Sequence, residues 1–232
     1  MDTATADVAV AIARDGEVLV DRSVPPEPGA RPRHAAVLLA EVERAATAVG
    51  GWERVDAIAV GLGPGSFTGL RVGIATARGL AQGLGKRMAG ICSLDVLARG
   101  IGEHPEGRGR PRLAVIDAKR GQVFAALHGA GGEREWGPAV AAPEEIGDRV
   151  PLAGRNPLAA GDGTVRFRRD LEHAGVEVLP EDQAAHHLSA RHVCALAQEV
   201  PPSAPREIKP IYLRPPDAEI WRERDRSKPQ RS

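Results

Sequence analysis

The residues best placed to do chemistry lie in one short run, Gly61-Leu62-Gly63-Pro64-Gly65-Ser66-Phe67-Thr68-Gly69-Leu70-Arg71-Val72-Gly73. Gly63, Gly65 and Gly69 open backbone angles closed to other residues, and Pro64 fixes one more. Ser66 or Thr68 can cap a helix that follows. A turn of this kind presents amide N–H groups that could cradle an anion. The established phosphate-binding spacings do not fit it. A dinucleotide fingerprint counted from Gly61 meets Ser66 at its sixth position, and one counted from Gly63 meets Thr68. A phosphate loop ends in Lys followed by Ser or Thr, whereas Gly85-Lys86 is followed by Arg87. A nucleophile elbow needs Gly two residues either side of its Ser, and Ser66 has Pro64 and Thr68 there. The plainer reading, preferred over direct phosphate binding, is a structural turn that brings a helix close to a sheet.

Other candidates are weaker. Asp117 could serve as a phosphate-side carboxylate, but an Asp that fixes its own turn through nearby amides is the favoured role. His186, His187 and His192 lie close together, yet separations of five and six residues put them off one helical face. No His-Glu-x-x-His run occurs, and no metal site or other cofactor is expected. Cys92 and Cys194, far apart in sequence, read as small buried hydrophobes rather than a disulfide or a nucleophile.

These residues need elements to hold them. The apolar run 55–60 reads as a buried strand leading into the glycine turn, and 68–84 as a helix. In that helix Leu70, Ile74, Ala77, Ala81 and Leu84 are spaced four, three, four, three. Gly69, Gly73 and Ala77 form a second row of small residues, with Gly79 and Gly83 a third. Each glycine weakens a helix by about 0.8–1 kcal/mol relative to Ala, so close approach to another backbone is expected. A second helix, 35–49, repeats the spacing with Leu38, Val42, Ala45 and Val49, and Leu39 and Ala46 widen the stripe. Two such seams either form a helical pair that docks on another pair or face the domain's own sheet.

Elsewhere, 8–13 and 18–20 flank Asp15-Gly16, a hairpin signal. A loop is expected over 25–32, and a short helix capped by Ser93 over 93–99. The Gly-rich stretch 102–111 reads as a link between subdomains. A hairpin is expected between 113–117 and 123–127, helices over 143–149, 165–174 and 189–199, and strands at 176–179 and 208–213. From Pro215 the sequence is charged and proline-bearing, and 221–232 reads as a disordered tail.

The 232 residues suit one or two domains. Apolar residues make up 42% and aromatics 3%, so the core must be built from Ala, Val, Leu and Ile. Zero net charge, with a pI near 7.1, argues against a protein that grips RNA by charge alone. No signal peptide or membrane span is visible, which points to the cytoplasm.

The run from Gly63 to Gly73 resembles the signature of the TsaB (YeaZ) family. Asp2-Thr3-Ala4-Thr5, Ile116-Asp117-Ala118-Lys119-Arg120-Gly121-Gln122-Val123-Phe124, Gly161-Asp162-Gly163 and Pro210-Ile211-Tyr212-Leu213-Arg214 agree with it in order. The resemblance implies an α/β fold of the actin-like ATPase (ASKHA) type. It implies two subdomains, 1–100 and 101–215, each a mixed sheet with flanking helices, and a tail over 216–232. It implies a non-catalytic subunit of a cytoplasmic complex with TsaD and the ATPase TsaE, reaching tRNA through that complex. TsaD there transfers a threonylcarbamoyl group to the adenosine beside the anticodon. TsaD chains carry a His-x-x-x-His metal pair, and Ser93 and Leu97 fall at those two positions. The partner surface is expected at Leu38, Val42, Ala45, Val49, Leu70, Arg71, Gly73, Ile74, Ala77 and Ala81, with a homodimer when the subunit is alone. The family has an apolar strand before Asp-Thr-Ala-Thr. Here Met1 directly precedes Asp2, so a truncated first strand or an upstream start is expected. The alternative is an independent ATP-binding enzyme or a glycoprotease-like metallopeptidase on the same fold.

Overall fold

The alternating sequence at the start folds back on itself as expected. In the computed structural model, which describes residues 1–150 and 155–214, β1 (Val8–Arg14) and β2 (Glu17–Val24) pair antiparallel. Asp15 and Gly16 both take positive φ, 51° and 84°, as a two-residue hairpin turn demands. After the loop, α1 (His34–Ala48) leads to β3 (Ala57–Gly61), and α2 (Phe67–Leu84) crosses over to β4 (Arg87–Ile91), parallel to β3. Met1 and Asp2 join the two strand pairs. Asp2 exchanges backbone hydrogen bonds with Ala9 at 2.9 and 3.0 Å. Met1 donates its nitrogen to the Ala59 carbonyl at 2.9 Å and accepts from the Gly61 amide at 3.0 Å.

The second half is a single mixed sheet in the order β7-β6-β5-β8-β9. It contains β5 (Arg112–Lys119), β6 (Gln122–His128), β7 (Arg134–Ala141), β8 (Leu158–Ala160) and β9 (Glu177–Val178). The first three form an antiparallel meander, and β8 runs parallel to β5. Helices α4 (Ile146–Arg149), α5 (Asp162–Arg166) and α6 (Arg168–His173) flank it. Between the halves lie α3 (Ser93–Glu103) and α7 (Ala190–Ala197). Residue 100 therefore falls inside a helix, and α7 packs back against β1.

Strands β4, β7 and β8 have no counterpart in the sequence reading. β7 is interrupted by Gly137-Pro138, tolerable because β7 is an edge strand. β8 has three residues, too few to show a period. The expected helix over 165–174 breaks at Phe167 into α5 and α6. The strand expected at 208–213 does not form. Pro210 has no amide to donate, and the segment is held instead by Ile211 donating to the Leu62 carbonyl at 2.8 Å and by Arg78 gripping the Pro205 and Ile208 carbonyls. The expected tail, 216–232, lies outside the described residues.

Three apolar clusters hold the fold. Leu38, Val42, Ile58, Val60, Ile74 and Ala77 pack α1 and α2 onto β1 and β3. Leu94, Leu97, Ile101 and Val193 pack α3 and α7 against Ala114, Ile116 and Ala126 of the second sheet. Leu113, Val115, Leu127, Ile146 and Leu171 fill that sheet's far side. Burying each large aliphatic side chain contributes about 1.5–3 kcal/mol.

Candidate functional site

The glycine-rich turn is built from Gly61, Leu62, Gly63, Pro64, Gly65, Ser66 and Gly69, and most of its backbone is committed to neighbours. The Leu62 amide donates to the Ile91 carbonyl at 2.7 Å, and the Ser66 amide to the Ala4 carbonyl at 2.7 Å. The Gly63 amide donates to Ser93 Oγ at 3.2 Å, and Ser66 Oγ caps α2 by accepting from the Gly69 amide at 3.3 Å. A Cβ on Gly69 would sit 2.1 Å from the Thr3 carbonyl oxygen, and one on Gly73 2.3 Å from Thr3 Oγ1. Thr3 Oγ1 in turn donates to the Gly69 carbonyl at 2.8 Å. These glycines thus let α2 lie directly on the Asp2–Ala6 segment, the structural role.

Ser93 does not cap α3; Cys92 stands at that position. Ser93 is wholly buried, and its hydroxyl donates to Asp2 Oδ2 at 2.8 Å. The Ala4 amide donates to Asp2 Oδ1 at 2.7 Å. Burial pushes the Asp2 carboxyl up from its ordinary value, against these hydrogen bonds.

A cleft of about 470 Å³ lies between the glycine turn and the second sheet. Its walls include Ser66, Thr68, Asp117, Lys119, Asp162 and Arg214. Asp117 accepts from the Lys119 amide at 2.7 Å, from Lys119 Nζ at 2.8 Å and from Arg166 at 2.9 Å. Partial burial works to raise its pKa, but the Lys119 hydrogen bonds and the charges of Lys119 and Arg166 hold it below the ordinary value. Asp162 accepts from the Asp117 amide at 2.9 Å, and burial pushes its carboxyl up. Two carboxylates in unlike environments beside two cations form a polar wall that could meet a phosphate-bearing or amino ligand. Among the described residues no group of three or more His, Cys, Asp or Glu could hold a metal ion. His186 contacts the Gly161 and Pro180 carbonyls, His187 Asp7, and His192 Glu103.

The seams of α1 and α2 face inward, onto this subunit's own strands β1 and β3. Leu38, Val42, Ala45, Leu70, Gly73, Ile74, Ala77 and Ala81 are all buried within the subunit. The reason is the apolar surface of β1 and β3, which needs cover on this side and takes both seams. Val49 is half-buried at the end of α1, and Arg71 is exposed, its guanidinium 4.9 Å above the Phe67 ring. The outer faces carry a different set. Leu39 is 55% exposed, with Ala36 and Ala40 exposed beside it on α1. On α2 the outward row is Arg71, Ala75, Gly79 and Gly83, one turn apart. A Cβ on Gly79 or Gly83 would meet nothing within 4 Å.

A sequence profile described as TsaD: tRNA N6-adenosine threonylcarbamoyltransferase matches residues 23–204. The Escherichia coli tRNA threonylcarbamoyladenosine biosynthesis protein TsaB is 30% identical over 223 residues, covering 92% of this chain and 93% of that one. The chain belongs to the TsaB (YeaZ) family. YeaZ from Pseudomonas aeruginosa shares the fold with a TM-score of 0.73 at 26% identity, over 91% of this chain and 97% of that one. This is the α/β fold class that the resemblance implies. An uncharacterized Mycobacterium leprae protein is 36% identical over 166 residues, and this chain spans 39% of its length.

The family motifs gather at the junction of the halves. Asp2-Thr3-Ala4-Thr5, the glycine turn and Tyr212 meet there, with Tyr212 and Phe67 rings 5.2 Å apart. Phe67, Tyr212 and Leu39 are exposed hydrophobics that sequence reasoning did not single out as surface residues. Leu39 in particular sits beside Leu38 in sequence. The one signal that separates them is the 100° step between neighbours on a helix, which turns one inward and the other out.

Proposed function

We propose that this chain is the non-catalytic partner subunit of TsaD, working with TsaE in tRNA threonylcarbamoyladenosine biosynthesis in the cytoplasm, and reaching tRNA through that complex. The observation that carries the reading is the outer face of α1 and α2. Gly79 and Gly83 weaken α2 by about 0.8–1 kcal/mol each and have no neighbour among the described residues to account for them. Gly69 and Gly73, by contrast, are explained by Thr3. Small residues facing out on the row that begins at Arg71, with Leu39 exposed on α1, suit the close approach of a helical pair from another chain. The same face would serve a homodimer when TsaD is absent. The residues at the positions of the TsaD metal pair support a non-catalytic role: Ser93 is bonded to Asp2, and Leu97 lies in the core. The test is size exclusion of this chain with TsaD from the same genome. A co-eluting complex supports the reading; separate elution at micromolar concentrations of both contradicts it.

The second reading is an independent ATP-binding enzyme. The cleft with Lys119 and Arg214 in its wall favours it. Titration calorimetry with ATP on the isolated chain, followed by assay for steady hydrolysis, separates the two.

A further inference from the structure

Beyond α7 the chain runs along the first half and crosses to the second at Arg214. Arg87 donates to the Pro202 carbonyl at 2.6 Å, and Met88 and Ser203 exchange backbone hydrogen bonds at 3.0 and 2.6 Å. Arg78 of α2 holds the Pro205 and Ile208 carbonyls. Ile211 donates to the Leu62 carbonyl at 2.8 Å, and the Tyr212 ring lies against Phe67. Every one of these partners belongs to the first half. Arg214 turns the other way. It donates to Gln122 Oε1 at 2.7 Å and to the Ala118 carbonyl, and its guanidinium stands 5.6 Å from the centre of the Phe124 ring. Those three residues belong to the hairpin of β5 and β6 in the second sheet.

Both sides of this crossing are walls of the cleft. Ile211, Tyr212 and Arg214 line it, and so do 117–120 at the hairpin tip. The tip is tightly made. Lys119, Arg120 and Gly121 all take positive φ, 62°, 55° and 74°. The Lys119 amide bonds to Asp117 and the Asp117 amide to Asp162, so the tip is tied internally and to its own sheet. A guanidinium is a planar fork that can bond two acceptors at once. Here it spans both strands of the hairpin, Ala118 on β5 and Gln122 on β6. Both acceptors are neutral oxygens. The bonds are therefore weaker than those of an Arg–carboxylate pair, and they form at a half-buried side chain that water can reach. At the floor of the cleft the halves are joined differently, by the apolar packing of α3 and α7.

We propose that Arg214 is a releasable latch that fixes the width of the cleft: it ties segment 202–214, held by the first half, to the hairpin tip of the second. The apolar floor acts as the hinge, and release of one side chain lets the hairpin wall swing away from the glycine turn. The latch is internal to the chain and independent of what docks on the outer face of α1 and α2.

The test compares the full chain with its Arg214→Ala and Arg214→Lys variants. Hydrogen exchange is read at the Asp117, Lys119 and Ile211 amides, with the amides of 74–81 in α2 and 96–101 in α3 as references. In Arg214→Ala the three cleft amides are expected to exchange faster on the order of tenfold, while the references stay as in the wild type. Arg214→Lys should fall between, because an ammonium keeps the charge but lacks the fork that spans two acceptors. The width itself is read from the distance between spin labels at Thr68→Cys and Arg120→Cys, one on each wall, in a Cys194→Ala background. That distance is expected to lengthen and its distribution to broaden when Arg214→Ala is added. Wild-type exchange at the hairpin together with an unchanged label distance would overturn the proposal. So would equal acceleration of the reference amides, because Arg214 would then support the whole fold rather than the cleft.

Discussion

Ile74 and Leu39 separate an inward seam from an outward docking face. Ile74 is 4% exposed, in the cluster that joins α2 to β1 and β3. Replacing it with Asp removes a buried aliphatic side chain, a loss of about 2–5 kcal/mol for truncation alone. It also places a carboxyl with no hydrogen-bond partner in that cluster, at a further cost of about 1–3 kcal/mol even if it stays protonated. The sum is comparable with the whole stability of an ordinary domain, about 5–15 kcal/mol. Ile74→Asp should therefore unfold the first half or lower its melting temperature drastically. Leu39→Asp, at a site 55% exposed, should change stability by no more than about 0.5 kcal/mol. The assay is thermal and urea unfolding followed by circular dichroism on both variants. A folded Ile74→Asp subunit with near-wild-type melting would refute the reasoning, since the seam would then have to face solvent.

Three further outcomes follow from particular contacts. Gly69→Ala should destabilise by about 1–3 kcal/mol, because its methyl would collide with the Thr3 carbonyl oxygen; urea midpoints check it. Gly79→Leu should leave the isolated subunit folded, since nothing lies within 4 Å, yet weaken TsaD binding at least about tenfold, or 1.4 kcal/mol. His187 pairs with Asp7 at 2.7 Å, which raises its pKa. Its stabilising share is fully present below the unfolded histidine value, about 6.5, and is lost as pH rises through the higher folded value. Exposure of the ring keeps the share small. The melting-temperature difference between wild type and Asp7→Asn should shrink as pH rises through that window.

Much of the local structure was legible because it rests on short-range rules. Asp15-Gly16 announced its hairpin, and the glycine turn announced a strand-to-helix junction. The orientation of the seams was not legible. A four-three repeat fixes which residues share a face but not what that face meets, and β1 and β3 claim it here. The small-residue row through Gly69 and Gly73 announced a close approach but not its partner. Gly69 and Gly73 make room for Thr3, sixty-six and seventy residues away in sequence, a contact no local pattern encodes. Ser93 looked like a cap because a hydroxyl stood at the right place, but that hydroxyl donates instead to the buried Asp2 carboxyl, ninety-one residues away in sequence. Of the expected interface residues, Arg71 alone stands exposed, on the row that continues through Ala75, Gly79 and Gly83.

The central claim is that the outer face of α1 and α2 docks this subunit on TsaD. Titration calorimetry of the full chain against TsaD from the same organism, in parallel with the Leu39→Asp variant, tests it most directly. The account predicts saturable binding at one-to-one stoichiometry for the wild type and at least about a tenfold loss, 1.4 kcal/mol, for the folded variant. Absence of binding by the wild type, or equal affinity of a folded Leu39→Asp subunit, would contradict it.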